Sequence, residues 1–279
     1  MGGILQMTKL PHHHAYPAGS TDLAVAGLLT VWSSLVDYQE DLVLVGGLVP
    51  QFLCTRPPEA LPAVTMDVDL GIALGATGGQ YGTISSHLQG LGFKQENQRF
   101  WRDIDGLPIF VDFLTETGQR GPTAAMVDDV PVSSFPGINR ALENYRTVTV
   151  SGRDAYGASQ ACRVKVCEIG PWLVLKLNAF AHRQQPKDAF DLYQGVLNYD
   201  RGRDAAATRF KEEAALNPGH AHARTALGVF FASAEAPGPI RCAEFMIGGL
   251  RGQISESDYQ FRRGRIVNDM ADIAGILVA

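Results

Sequence analysis

Residues 64–72, Val-Thr-Met-Asp-Val-Asp-Leu-Gly-Ile, constrain the fold more than any other stretch, because they put Asp67 and Asp69 two positions apart inside an apolar, β-branched run. Side chains alternate along a strand, so Asp67 and Asp69 share one face while Met66, Val68 and Leu70 share the other. Neighbouring carboxylates on a strand repel, and a compensating cation relieves the repulsion. A solvent-facing pair on an edge strand is the alternative reading, and the flanking sequence argues for a site. Upstream, Leu42–Val45 reads as a buried strand ended by Gly46-Gly47, and Leu48–Cys54 reads as the first turns of a helix. Such a junction makes either a tight turn or a set of backbone N–H groups suited to an anion such as phosphate. Downstream, Leu107–Leu114 carries Asp112 in the middle of another apolar strand. A buried carboxylate is costly unless it is paired or binds a metal. Three acids on two strands, beside a phosphate-ready turn, could hold Mg²⁺ bridging a nucleoside triphosphate (NTP).

The rest of the chain sets bounds on this reading. With 279 residues, 46% hydrophobic and 19% charged, it has the composition of a soluble globular protein of one large or two smaller domains. No stretch reads as a membrane span, and Leu23–Val36, although apolar, follows Asp22 and lacks a basic flank. Cys54, Cys162, Cys167 and Cys242 show no metal-ligand or redox spacing, so free thiols in a cytoplasmic protein are expected. His12-His13-His14 sits in a Pro/Gly-rich leader and reads as a disordered tail rather than a metal site. The net charge of −5 argues against a broad nucleic-acid-binding surface, yet residues 1–155 carry −7 and residues 156–279 carry +2.

In chain order, the spacing predicts a flexible leader over 1–19 and a helix from Ser20 or Thr21 to about Tyr38, with Leu28, Leu29, Trp32, Leu35 and Val36 on its apolar face. Gly75–Gly79 reads as a flexible loop and Tyr81–Leu91 as a helix stopped by glycine. Short strands follow around Phe93-Lys94 and Arg99–Arg102, and Asp105-Gly106 is a hairpin turn into the Asp112 strand. Residues 115–137, rich in Gly, Pro, Ser and Thr, read as one long loop near the third acid. Ile138–Tyr145 reads as a short helix, and Thr147–Val150 and Arg163–Val166 as alternating strands. Helices are expected over 172–183, Pro186 to about Tyr199, 205–216, 220–233, 241–250 and 257–273. The texture thus divides into an α+β domain over 20–155 and a mainly helical domain over 156–279, with the break inside 151–170.

A second charged constellation opens the helical part. Lys176 and Arg183 are seven residues apart, nearly two turns, so both cations lie on one helix face beside Leu173, Leu177 and Phe180. Pro186-Lys187-Asp188-Ala189-Phe190-Asp191 then starts a helix with two acids. The structural reading is good here, since acids suit a helix N-terminus and Lys187 and Asp191 form an i,i+4 pair.

Together these motifs resemble two nested families. Val45-Gly46-Gly47, Asp67-Val68-Asp69 and Asp112 resemble the nucleotidyltransferase superfamily that includes DNA polymerase β, although the proline-rich gap before Asp67 is long. Lys-x6-Arg followed by Lys-Asp-x-x-Asp-Leu resembles the later motifs of AbiEii-type nucleotidyltransferases, toxins of type IV toxin–antitoxin systems and their relatives. The likeness spans roughly residues 40–195. It implies a polymerase β-like mixed sheet with flanking helices plus a C-terminal helical domain that brings Lys176 and Asp191 to the cleft. It implies Mg²⁺ on Asp67, Asp69 and Asp112, the triphosphate on the Gly46 and Gly47 N–H groups, and phosphate charge neutralised by Lys176, assisted by Arg183 or Lys187. It further implies an acceptor hydroxyl that expels pyrophosphate, oriented or deprotonated by Asp191, with Asp188 structural. Arg56 is either a phosphate contact or a solvated loop charge. The implied acceptor is the 3′ end of tRNA, with a cognate antitoxin as a possible protein partner. A small hydroxylated acceptor such as an aminoglycoside or lincosamide, and a non-catalytic nucleotide-binding module, are the alternatives.

Overall fold

A period-two apolar pattern dominates up to about residue 168 and a helical one dominates after it, and in the computed structural model the chain sorts into two units along that line. The structure describes residues 9–55, 57–73, 82–116, 123–127 and 130–279. One unit comprises Gly19–Phe52 and Val64–Glu168; the other comprises the chain up to Ala18, Leu53–Ala63 and Ile169–Ala279. Arg56 and Gly75–Gly79 lie outside the described residues.

The sheet unit starts with helix α1 (Ser20–Ser34), which follows Gly19 in the left-handed region. It ends before Tyr38, because Leu35 leaves helical geometry and a 3-10 segment covers Val36–Asp41. Val36 is therefore exposed rather than part of the apolar face. Strand β1 (Leu42–Val45) runs into a 3-10 turn over Gly46–Leu48 and a five-residue helix α2 (Val49–Leu53). Strand β2 (Asp67–Ile72) carries the acid pair, and α3 (Gly82–Gly90) follows. Strands β3 (Lys94–Glu96), β4 (Arg99–Ile104) and β5 (Leu107–Thr115) form a meander. Asp105 and Gly106 both have positive φ, 51° and 82°, as a tight primed turn between twisted strands requires.

The expected long loop over 115–137 instead holds two strands, β6 (Thr123–Val127) and β7 (Val130–Ser134), with β7 hydrogen-bonded to β5. After α4 (Ile138–Glu143), strands β8 (Tyr145–Arg153) and β9 (Ser159–Cys167) form a hairpin longer than the two short runs suggested. The mixed sheet has the order β3-β4-β5-β2-β1-β9-β8, with β7 and β6 branching from β5.

Helix α1 packs with Gly27 against Ile109 and Val68, which takes up the apolar face of β2 and β5. The acids, on alternate positions, project from the other face. On that face α4 closes the sheet one rung beyond Asp69, where a Cβ on Gly71 would lie 2.9 Å from Val43 and 3.3 Å from Ile138.

In the helical unit, α5 (Ile169–Arg183), α6 (Pro186–Leu197), α7 (Arg203–Glu212), α8 (His220–Phe230), α9 (Pro237–Ile247) and α10 (Glu256–Val278) pack around Trp172, Phe180, Phe190, Phe210, Phe231 and Phe245. The His12–His14 segment is not a loose tail. His13 is wedged edge-on between Phe190 and Phe245 with its Nε2 2.8 Å from the Pro62 carbonyl, and His12 Nδ1 lies 3.1 Å from the Glu244 carbonyl. Burial lowers the His13 pKa, so the ring is held neutral among its apolar neighbours. Among the described residues, no helix is long and apolar enough to cross a membrane. Cys54, Cys162, Cys167 and Cys242 are not joined in disulfides.

Candidate active site

Register brings the three acids of the sheet unit together. Strands β2 and β5 are parallel, with Asp69 opposite Asp112 and Asp67 opposite Phe110; paired residues share a face, so all three carboxylates stand on one side. The start of β2 is fixed by Thr65, whose Oγ1 accepts the Asp67 N–H at 3.0 Å and whose own N–H donates to Thr21 Oγ1. The Phe110 N–H donates to the Met66 carbonyl and locks β5 alongside.

Antiparallel β4 continues the array, with Trp101 opposite Phe110 and Phe100 opposite Val111, which sets Arg99 next to Asp112. The Arg99 guanidinium lies 4.3 Å over the Phe110 ring. Its Nε donates to Asp112 at 2.9 Å, and its Nη2 donates to both Asp67 Oδ1 at 2.9 Å and Asp112 Oδ2 at 2.5 Å. Two carboxylates from different strands thus converge on a single nitrogen. The Arg99 side chain is 16% exposed, against 8% for Asp67 and 24% for Asp112. Burial opposes the charge on Arg99, but Asp112 and Asp67 outweigh it and hold the guanidinium above its ordinary pKa. Burial pushes the Asp112 carboxyl up to about 7; Arg99 pulls against that shift, and Asp69 and Asp67 add to it.

Asp69 is aimed at the glycine turn. Gly46 has φ 73°, and a Cβ there would lie 1.8 Å from Asp69 Oδ2, so both backbone shape and space demand glycine. The Gly47 N–H reaches the same oxygen at a long 3.4 Å. The Gly47 N–H thus faces the Asp69 carboxylate, and the following helix has only five residues and little dipole to add.

Metal fit depends on the donors. Asp67, Asp69 and Asp112 offer the oxygens that Mg²⁺ prefers. Among the described residues, no group of three or more His, Cys, Asp or Glu side chains could hold a metal ion as it stands. The Asp67 and Asp112 oxygens each lie within 2.9 Å of Arg99 Nη2, a cation occupying their point of convergence. The donor chemistry suits a hard divalent cation, and in this structure a guanidinium holds the point where Asp67 and Asp112 converge.

The helical unit gathers the other expected residues. Lys176 Nζ donates to Asp191 at 2.6 Å and lies 3.7 Å from Asp188. Lys187 Nζ donates to both Asp191 oxygens, at 3.0 and 2.8 Å. Arg183 forks Asp188 through Nε at 2.6 Å and Nη2 at 2.8 Å, and Lys9 lies 4.0 Å from Asp188. Asp188 and Asp191 are 0% and 1% exposed, so Asp191 is here a counter-ion to two ammonium groups and Asp188 is structural. Burial alone would raise the Asp188 pKa; Lys9, Arg183 and Lys176 outweigh it and hold the carboxyl below the usual range.

Sequence reasoning missed Arg99 and Lys9. Arg99 begins a strand 32 residues from Asp67 and 13 from Asp112, and only strand register shows that it meets them. A groove of about 790 Å³ lies elsewhere in the sheet unit, lined by α1, Phe52 and the end of the β8–β9 hairpin, and none of the three acids lines it. No protein-family model matches this chain, and neither does a curated protein or a solved structure.

Proposed function

We propose that this chain is a Mg²⁺-dependent nucleotidyltransferase of the polymerase β-like, AbiEii type, moving a nucleoside monophosphate from an NTP to the 3′ end of tRNA. The observation that carries this reading is the convergence of Asp67, Asp69 and Asp112 on one sheet face beside the Gly46-Gly47 turn. Mg²⁺, when bound, would supply charge neutralisation for the triphosphate. Asp67 and Asp69 hold it from one strand. Asp112, opposite Asp69 on the neighbouring strand, would complete the donor set. The Gly47 N–H, released from Asp69, donates to a phosphate oxygen. The family resemblance gives Lys176, with Arg183 and Lys187, the neutralisation of phosphate charge; within the helical unit these cations pair with Asp188 and Asp191. Rate enhancement comes mainly from positioning and electrostatic stabilisation.

Incubation with Mg²⁺ and each labelled NTP in turn, with and without total tRNA, tests the reading. Label should pass to tRNA, and Asp69→Ala should abolish the transfer while the protein stays folded. Label on a small hydroxylated acceptor would keep the chemistry and change the substrate. No transfer from any NTP to any acceptor would remove the enzyme reading.

A further inference from the structure

We propose that Arg99 is the resident counter-ion of the acid rung, that a divalent cation binds only by displacing it, and that the displaced guanidinium then holds the anionic group that arrives with the cation. The inference rests on the nucleotidyltransferase reading for the identity of that group. Its geometry stands without it.

Three features carry the displacement. Arg99 Nη2 occupies the single point where Asp67 Oδ1 and Asp112 Oδ2 converge, and its Nε takes the other Asp112 oxygen. A guanidinium and a metal ion cannot use the same lone pairs at the same point, so the two compete. The local charge favours a cation: Asp67, Asp69 and Asp112 stand on one face, and among the described residues Arg99 pairs with two of them. Finally, the guanidinium rests on the Phe110 ring at 4.3 Å, a flat apolar surface from which it can turn outward while its stem stays packed.

The nucleotide gains a partner from the same exchange. With metal in place, the acids no longer need Arg99, and its planar fork stands free at the edge of the same site. Guanidinium forks match phosphate oxygens, with two parallel N–H donors. Arg99 is therefore a positioning residue for the metal and a binding residue for the phosphate, and these roles have opposite signs. Removing it should tighten the metal and loosen the nucleotide. A merely structural role would weaken both.

The test is calorimetric titration of the metal-free protein with Mn²⁺, then of the Mn²⁺-loaded protein with a non-hydrolysable NTP analogue, for wild type, Arg99→Gln and Arg99→Lys. Arg99→Gln should bind Mn²⁺ about 10-fold more tightly and the analogue about 10-fold more weakly, each equivalent to roughly one lost or released charge-assisted contact. Arg99→Lys keeps the charge but not the fork, and should fall between on both titrations; it carries the test alone if Arg99→Gln does not fold. Mn²⁺ affinity unchanged or lowered in the variants overturns the proposal, even in an enzyme that transfers nucleotides. Tighter Mn²⁺ in the variants of a protein that transfers nothing would keep the displacement and discard the transferase reading.

Discussion

The acid rung of the sheet unit and the charged knot of the helical unit are built from the same side-chain types, and their balance is inverted. In the sheet unit the Arg99 guanidinium pairs with Asp67 and Asp112 while Asp69 faces the glycine turn, and Asp112 is pushed up to about 7. In the helical unit Lys9, Lys176, Arg183 and Lys187 surround Asp188 and Asp191, and Asp188 is held below the usual carboxylate range. Burial pushes both acids the same way, so the sign of the shift is decided by the local count of cations. The first cluster is short of positive charge and open enough to take some from outside. The second is closed, and several cations already surround its two acids.

The largest effect should come from breaking the closed cluster. Asp188→Asn removes the fully buried carboxylate that Arg183 forks and that Lys9 and Lys176 approach, and breaking a buried ion pair of this kind costs about 3–5 kcal/mol. Urea unfolding measures it, and a loss under about 1 kcal/mol would mean that the knot does not hold the helical unit together. Gly46→Ala should come next, at about 2 kcal/mol, because the methyl group meets both a positive φ and the Asp69 carboxylate. Its diagnostic sign is a larger proportional loss of nucleotide affinity than of stability.

A pH series sharpens the contrast, because the two acids should act in opposite windows. Asp188 has a folded-state pKa below its unfolded value, so its contribution is full above about pH 4 and is lost as pH falls through the folded-state value. Asp112 has a folded-state pKa of about 7, so the folded state holds the extra proton between about pH 4 and 7. Its contribution is full at the acid end of that window and is lost as pH rises through 7. In chelator-treated protein, Asp188→Asn should flatten the acid limb of the stability profile and Asp112→Asn the limb between about pH 4 and 7. Identical profiles for the two variants would erase the distinction drawn between the clusters.

The smallest effect is expected from Asp69→Ala, which removes one of three crowded acids. Without metal, stability should hold or rise by up to about 0.5 kcal/mol, while transfer is lost. Lys176→Ala should lose most activity and Lys176→Arg keep part of it, because Arg retains the charge. Equal loss in both would tie Lys176 to the shape of its pair with Asp191 rather than to its charge.

Legibility followed the range of the interactions. The runs at 42–45, 67–72 and 107–115, the Asp105-Gly106 hairpin and the helix opened by Pro186 declare themselves within a few residues, through alternation, turn chemistry or capping. Strand β7 does not: Val-Pro-Val-Ser-Ser has a proline and two serines, and it is a strand because β5 offers a partner at Phe113–Thr115. The packing of His13 on Phe190 and Phe245 is likewise invisible across a separation of more than 170 residues. At the candidate site the acids and glycines were readable as a pattern, whereas Arg99 was not, since its meaning comes from the neighbouring strand. The Lys187–Asp191 pair was readable as an i,i+4 contact, and the tie from Lys176 to Asp191 needed the crossing of two helices.

The way the chain alternates between units has a consequence for its synthesis. The segment Leu53–Ala63 interrupts the sheet unit and belongs to the helical one, where Thr55 donates to the Asn198 carbonyl and Gln194 donates to the Leu61 carbonyl. His12 and His13 likewise wait for Glu244 and Phe245. A ribosome releases both segments long before their partners exist. The sheet sequence can be complete as far as Glu168 while two stretches of its own early chain still lack anything to bind. Such a nascent chain carries unsatisfied backbone groups and uncovered aromatic surface until α9 emerges, so no single truncation separates the two units cleanly. A fragment ending at residue 168 should aggregate unless residues 53–63 are replaced by a short polar linker.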